Sequence, residues 1–185
     1  MPDHDGVGRR LNNHGRPATP TEASSAGPSE WRRARVHLWA QVAAAGFACL
    51  LVGGIAVGWW WQAATGSHWQ PPQISRVHAT FACYTTADAI ILLAVAAGLL
   101  LSLRSARGFR LVRAARVAAV VGLPTSVAGI VLLWLVAPDF LVLCWIPVVF
   151  AVGTFSVAAT AHTAAARWAT AAAITATNAA PPTAQ

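Results

Sequence analysis

The chain predicts an all-α fold: a polytopic membrane protein with four transmembrane helices arranged as two hairpins. Three features carry this reading. Hydrophobic residues make up 56% of the 185 residues and charged residues only 10%, where soluble proteins carry ~25% charged residues. The apolar residues come in long unbroken blocks, without polar alternation at helix or strand period. The thirteen basic residues are all Arg, and they fall very unevenly into the gaps between the blocks. At this length the chain has room for one domain.

Residues 1–30 hold Pro17, Pro20 and Pro28 among Gly, Ser and polar residues. They have no apolar period and read as a disordered tail, because they bury too little surface to offset ordering entropy. The transmembrane domain is predicted over 31–165. It opens on the basic cluster Trp31–Arg35 and has spans at 36–61, 81–103, 117–136 and 140–161. The first span carries no formal charge and closes on Trp59, Trp60 and Trp61, an interfacial anchor. Residues 62–80 read as the largest loop, with Pro71, Pro72, His68, Arg76 and His78. The second span contains a single charge, Asp88. Pro124 and Pro147 fall inside the third and fourth spans, and Pro138-Asp139 marks the turn between them. Residues 166–185 form a C-terminal tail, whose Ala/Thr-rich beginning can continue the last helix and whose Pro181-Pro182 ends it.

Arg104, Arg107, Arg110, Arg113 and Arg116 lie between the second and third spans. With both termini inside, twelve Arg face the cytoplasm and only Arg76 lies outside, a strong positive-inside bias. The predicted topology is therefore N-in/C-in. The Arg-only, Ala-rich composition points to a GC-rich bacterial coding sequence, and so to the bacterial cytoplasmic membrane. Orientation accounts for the net charge of +7, and nucleic acid is not expected as a partner. The expected partners are the lipid bilayer, its anionic headgroups, and a membrane-protein partner or second copy. Headgroup contact is assigned to Arg32, Arg33, Arg35, Arg104, Arg107, Arg110, Arg113 and Arg116, each exposed Arg contributing ~1 kcal/mol at most. Arg at every third position resembles the gating helix of voltage sensors in spacing alone. Five such residues drift around the helix by about 240° at 100° per residue, so they form no single stripe.

Asp88 is the candidate intramembrane site, because an ionisable group within a span marks a functional position by default. The sequence places it near the outer interface. His68, His78 and Asp139 form a weak metal-ligating set beside it. His37 and His162, at the inner ends of the first and fourth spans, form a weak haem-ligating pair. No cofactor is assigned. Cys83 and Cys144 lie near the outer surface, where a disulfide is conceivable. Small-residue spacings at Gly54/Gly58, Ala94/Gly98 and Ala118/Gly122/Ser126 suit close helix packing.

The chain shows no nucleophile elbow, zinc-protease, CxxC, phosphate-loop or dinucleotide motif. The leading functional expectation is a non-catalytic accessory or interaction subunit of a membrane complex. A small transporter or oligomeric pore using Asp88 is the alternative, and a haem- or metal-binding redox protein is a further one. Replacing the five Arg of the central run by Gln, while adding Arg to residues 62–80, should invert or scramble the topology. Cysteine accessibility at 62–80 reads this out, and unchanged labelling would refute the charge-bias argument.

Overall fold

The computed structural model of the chain describes residues 20–66, 72–136 and 145–179, and the side chains of 31–66, 74–105, 107–132, 134–135 and 145–174. Among the described residues the structure is entirely helical, with no strand. It consists of α1 (Pro20–Thr65), α2 (Pro72–Ser102), α3 (Ala106–Val136) and α4 (Ile146–Ala179). Each contains a stretch long and apolar enough to cross a bilayer: Trp31–Thr65, Ile74–Ser102, Arg107–Leu132 and Ile146–Ile174. The chain thus has the architecture of a multi-pass membrane protein. Helix is the natural state for such segments, since the bilayer offers no partner for a free backbone N–H or C=O.

Several helix ends differ from the sequence expectation. Residues 20–30, read as part of the disordered tail, form the first turns of α1; Pro20 takes the first helical position, where its missing N–H is not needed. Residues 1–19 lie outside the described residues. The loop expected over 62–80 is mostly helix, because α1 runs to Thr65 and α2 starts at Pro72. Polar residues do not stop a helix that meets water, and here Ser75 Oγ reaches across the hairpin to the Ala63 carbonyl (3.5 Å). The connector expected over the Arg run is only a tight turn at Leu103–Ser105. It is closed by Arg104 N–H and Ser105 N–H donating to the Leu101 carbonyl (3.0 and 2.8 Å). Arg107 to Arg116 therefore sit on the first turns of α3. Of the fourth span expected from Phe140, residues 140–144 lie outside the described residues; α4 is described from Ile146, with Pro147 in its first turn. Pro124 is inside α3, as expected.

The bundle closes as a ring. Each helix packs on its sequence neighbour, α1 also meets α4, and α2 contacts α4 across the diagonal. The buried residues reveal one shared register. On α2 they include Phe81, Thr85, Asp88, Leu92, Val95 and Leu99; on α3 Val112, Ala115, Ala119 and Ser126; on α4 Ala151, Thr154, Ala158, Ala161 and Ala165; on α1 Leu38, Ala45 and Val52. Steps of three and four alternate along each helix, the seven-residue repeat of left-handed bundles with crossing angles near 20°. The opposite faces are apolar too, with Leu50, Phe47, Val57, Ile90, Leu132 and Val149 exposed. In lipid such side chains are in their proper solvent.

Two termini meet at one end. The Trp31 and Trp168 rings lie 5.6 Å apart, and Trp168 Nε1–H donates to the Ser102 carbonyl (3.0 Å). The membrane-proximal start of α1, the end of α2, the start of α3 and the end of α4 thus share an Arg-rich end. Trp59, Trp60 and Trp61 lie at the other, Trp-rich end.

Small residues decide how closely α2 and α3 approach. A Cβ on Gly98 would stand 2.7 Å from Val112 Cγ2 and 3.0 Å from the Val112 nitrogen, and a Cβ on Gly108 would run into the Ser102 and Gly98 backbones. Farther along the same interface the Tyr84 ring covers Gly129, and its hydroxyl donates to the Thr125 carbonyl (3.1 Å). Gly54, Gly58 and Gly122 instead face open space. Of the three small-residue spacings, only Ala94/Gly98 has its glycine at a helix contact within the bundle. Gly98→Val or Gly108→Ala should therefore destabilise by about 1–3 kcal/mol through overpacking. Gly54→Ala and Gly122→Ala should be neutral or mildly stabilising. Thermal unfolding in detergent, followed by circular dichroism, distinguishes the two pairs.

Candidate functional site

One face of α2 carries the chemistry. His78, Phe81, Thr85, Asp88, Leu92, Val95 and Leu99 follow one another at three- and four-residue steps and line the bundle interior. The half toward the Trp-rich end is interrupted by polar groups, and the half toward the Arg-rich end is purely apolar. Helical rise gives the depths. Asp88 is roughly 21 Å from Ser102 and 24 Å from Pro72 at ~1.5 Å per residue, close to the centre of α2. Thr154 on α4 is also roughly 21 Å from Trp168, the residue bonded to Ser102, so the two side chains share a depth. The bundle thus holds Asp88 deeper than the sequence suggested. The reason is that α2 starts at Pro72 and its last turns pack below the Arg residues of α3.

Asp88 is 6% exposed and Thr154 only 2%. The Thr154 side chain is the polar group that faces the Asp88 carboxyl. The geometry stops short of a hydrogen bond, because neither Asp88 Oδ2 nor Thr154 Oγ1 has a partner. Among the described residues no Arg or His pairs with Asp88. Two further polar residues lie at nearby depth. Thr85 is fully buried and is satisfied by its own helix, donating to the Phe81 and Ala82 carbonyls (2.8 and 3.2 Å). Ser126 on α3 is also buried, next to Thr125, whose carbonyl accepts from Tyr84.

The file opens at an aromatic cluster. His78 stacks on Trp59 at 5.3 Å between centroids, and Trp59 meets Phe81 edge-on at 5.2 Å. The buried His78 Nδ1 and Trp59 Nε1 have no hydrogen-bond partner among the described residues. His78 lies roughly 15 Å from Asp88 along the helix. On the other side, His162 receives the Arg116 Nη1–H at 3.3 Å on Nδ1, with its Nε2 carrying the proton, and stacks on Phe109 at 5.3 Å. This contact is roughly 12 Å from the depth of Asp88. Asp88 sits at the middle of Ile74–Ser102, the stretch of α2 long and apolar enough to cross a bilayer.

The weak metal set falls mostly outside the described residues, and the weak haem pair is not brought to one cleft. His68 and Asp139 lie outside the described residues, as does Cys144, the expected partner of Cys83. His78 is too far from Asp88 to share a metal ion with it, and among the described residues no three His, Cys, Asp or Glu side chains converge. His37 lines a cleft between α1 and α4 with Arg33 and Arg167, whereas His162 lines one between α3 and α4. The two imidazoles line different clefts. The Arg residues assigned to headgroups are all exposed. Arg35 lies over the Trp31 ring at 5.3 Å.

Sequence reading, which offered Thr85 or Thr86 as the partner of Asp88, missed Thr154. The register of Ala151, Thr154, Ala158 and Ala161 is visible in the sequence, but lipid-facing residues as apolar as the core conceal which stripe turns inward. A buried carboxyl and hydroxyl left without hydrogen bonds are held at a cost in stability. Thr154→Val and Asp88→Asn should each leave the thermal midpoint unchanged or raise it by a few degrees, about 2–4 °C per kcal/mol for a chain this size; a drop in midpoint would mark them as ordinary structural residues. Comparison with protein-family profiles, curated proteins and solved structures found no match to this chain, so the reading of the site rests on its own chemistry.

Proposed function

We propose that this protein is a non-enzymatic membrane subunit that takes up a proton or small cation at Asp88 and Thr154 from the Trp-rich side of the bilayer. The observation that carries this reading is the buried Asp88 carboxyl at the middle of α2, whose Oδ2 has no hydrogen-bond partner. An ionised carboxyl at the centre of a span costs ~2.5–3.5 kcal/mol on insertion scales. A bound proton or cation removes that charge, and the Thr154 hydroxyl is placed to complete the coordination. Toward the Arg-rich end Val95 and Leu99 share a buried apolar cluster with Val112, Ala115 and Ala158, with no polar side chain among them, which favours uptake from the Trp-rich side. Onward transfer then requires a rearrangement of the bundle or a neighbouring protein.

Association with another membrane helix, the reading in which the chain is an accessory or interaction subunit, is favoured by Gly54 and Gly58. They face open space on the lipid side of α1, in the spacing that lets two backbones approach. On the positive-inside argument, the Arg-rich end with both chain termini is cytoplasmic, in a bacterial cytoplasmic membrane. The relay is tested in proteoliposomes by dye-reported flux of H⁺, Na⁺ and K⁺. The expected result is flux with the wild type, loss with Asp88→Asn and reduction with Thr154→Val. Absence of flux for all three ions, or flux indifferent to Asp88, would falsify it.

A further inference from the structure

We infer that the cleft between α3 and α4 is a binding site for an anionic phospholipid, with Arg113 and Arg116 on the phosphate and the valine face of α3 along an acyl chain. The cleft has a volume of about 530 Å³ and is lined by Phe109, Arg113, Arg116, Val117, Val120, Val121 and His162. Its chemistry is ordered by depth. Arg113 and Arg116 lie at the level of the headgroups. Val117, Val120 and Val121 follow on the same side of α3, one to two turns closer to the midplane, and all three are exposed. Charge at the interface followed by β-branched apolar surface toward the bilayer centre is the profile of a phospholipid.

The two guanidinium groups are free for an anion. The cleft contains no carboxylate, and the only acidic side chain among those described is Asp88, at the middle of α2. Arg116 is held in place by one N–H on His162 Nδ1, which leaves its other donors available, and a phosphate accepts paired N–H groups from a guanidinium. Phe109, stacked on His162, forms the floor. The cleft between α1 and α4 offers a contrast. It also holds two Arg and a His, Arg33, Arg167 and His37, in about 520 Å³. Its apolar lining includes Ala171 and Ile174, which lie beyond Trp168 on the side away from Asp88. A headgroup could sit there, but its chains would have no surface to follow.

The inference does not depend on ion uptake at Asp88. Its test is native mass spectrometry of the full-length protein in mild detergent, titrated with phosphatidylglycerol, phosphatidylcholine or inorganic phosphate. The expected result is a retained phosphatidylglycerol that neither phosphatidylcholine nor phosphate displaces. Arg113→Gln with Arg116→Gln should weaken retention by roughly 25-fold, at about fivefold for each Arg. Arg33→Gln with Arg167→Gln should cost far less, about fivefold at most from the exposed Arg33. Val120→Trp, which fills the acyl face without altering charge, should also abolish it; circular dichroism of each variant confirms the helical fold. Equal losses in the two Arg pairs, equal retention of phosphatidylcholine, displacement by inorganic phosphate, or retention in Val120→Trp would each overturn the assignment.

Discussion

The near-contact of two backbones, at Gly98 on α2 and Gly108 on α3, sets the geometry on which the remaining structure depends. Lipid gives apolar helices no reason to associate, so packing must come from surfaces that fit closely. Here the absence of two Cβ atoms lets α3 fold straight back along α2 after a turn of only three residues. That fold-back carries Arg107 to Arg116 upward along the bundle instead of leaving them in a connector. It also fixes the register in which Val112 meets Leu99 and Val95 and in which Tyr84 covers Gly129. The depth of Asp88 is a consequence of this register and not of its distance from the nearest polar residues in the chain.

Much of the architecture was legible from composition and charge. Four apolar blocks and an Arg-only basic set led to four spanning helices, because the bilayer leaves helix as the sole state for such segments. Helix ends were less legible. Hydropathy reports where a helix leaves lipid, not where it stops, and so residues 72–80 and 106–116 were misread as loops although they are helical. The inward stripe was hidden because periodicity is a contrast between faces. With Leu50 facing lipid and Leu38 facing the core, hydrophobicity does not distinguish them; only the polar members Thr85, Asp88, Ser126 and Thr154 mark the inside. Asp88 could be named from sequence as the exceptional residue, but its partner could not, because Thr is unremarkable in an Ala/Thr-rich helix.

The polar groups of the interior divide into satisfied and unsatisfied ones, and the division is informative. Thr85, Thr86 and Ser102 each return a hydrogen bond to a carbonyl of their own helix, the usual way a membrane helix hides a hydroxyl. Thr154 does not do so. Its hydroxyl is directed toward Asp88, leaving both groups incomplete. Of the interior hydroxyls, Thr154 is the one that lies beside a carboxyl and has no hydrogen-bond partner.

The two ends of the bundle also differ in kind. The Trp-rich end combines Trp59 with a half-buried His78, whose buried Nδ1 has no partner among the described residues. At the Arg-rich end every assigned Arg points outward, and the interior is closed by Leu38, Leu99, Val112 and the alanines of α4. Fixed positive charge around a sealed end attracts anions to the surface and repels cations from it, whereas the opposite end presents no fixed charge beyond Arg76 among its described side chains. A cation approaching Asp88 therefore meets its smaller electrostatic barrier from the Trp-rich side.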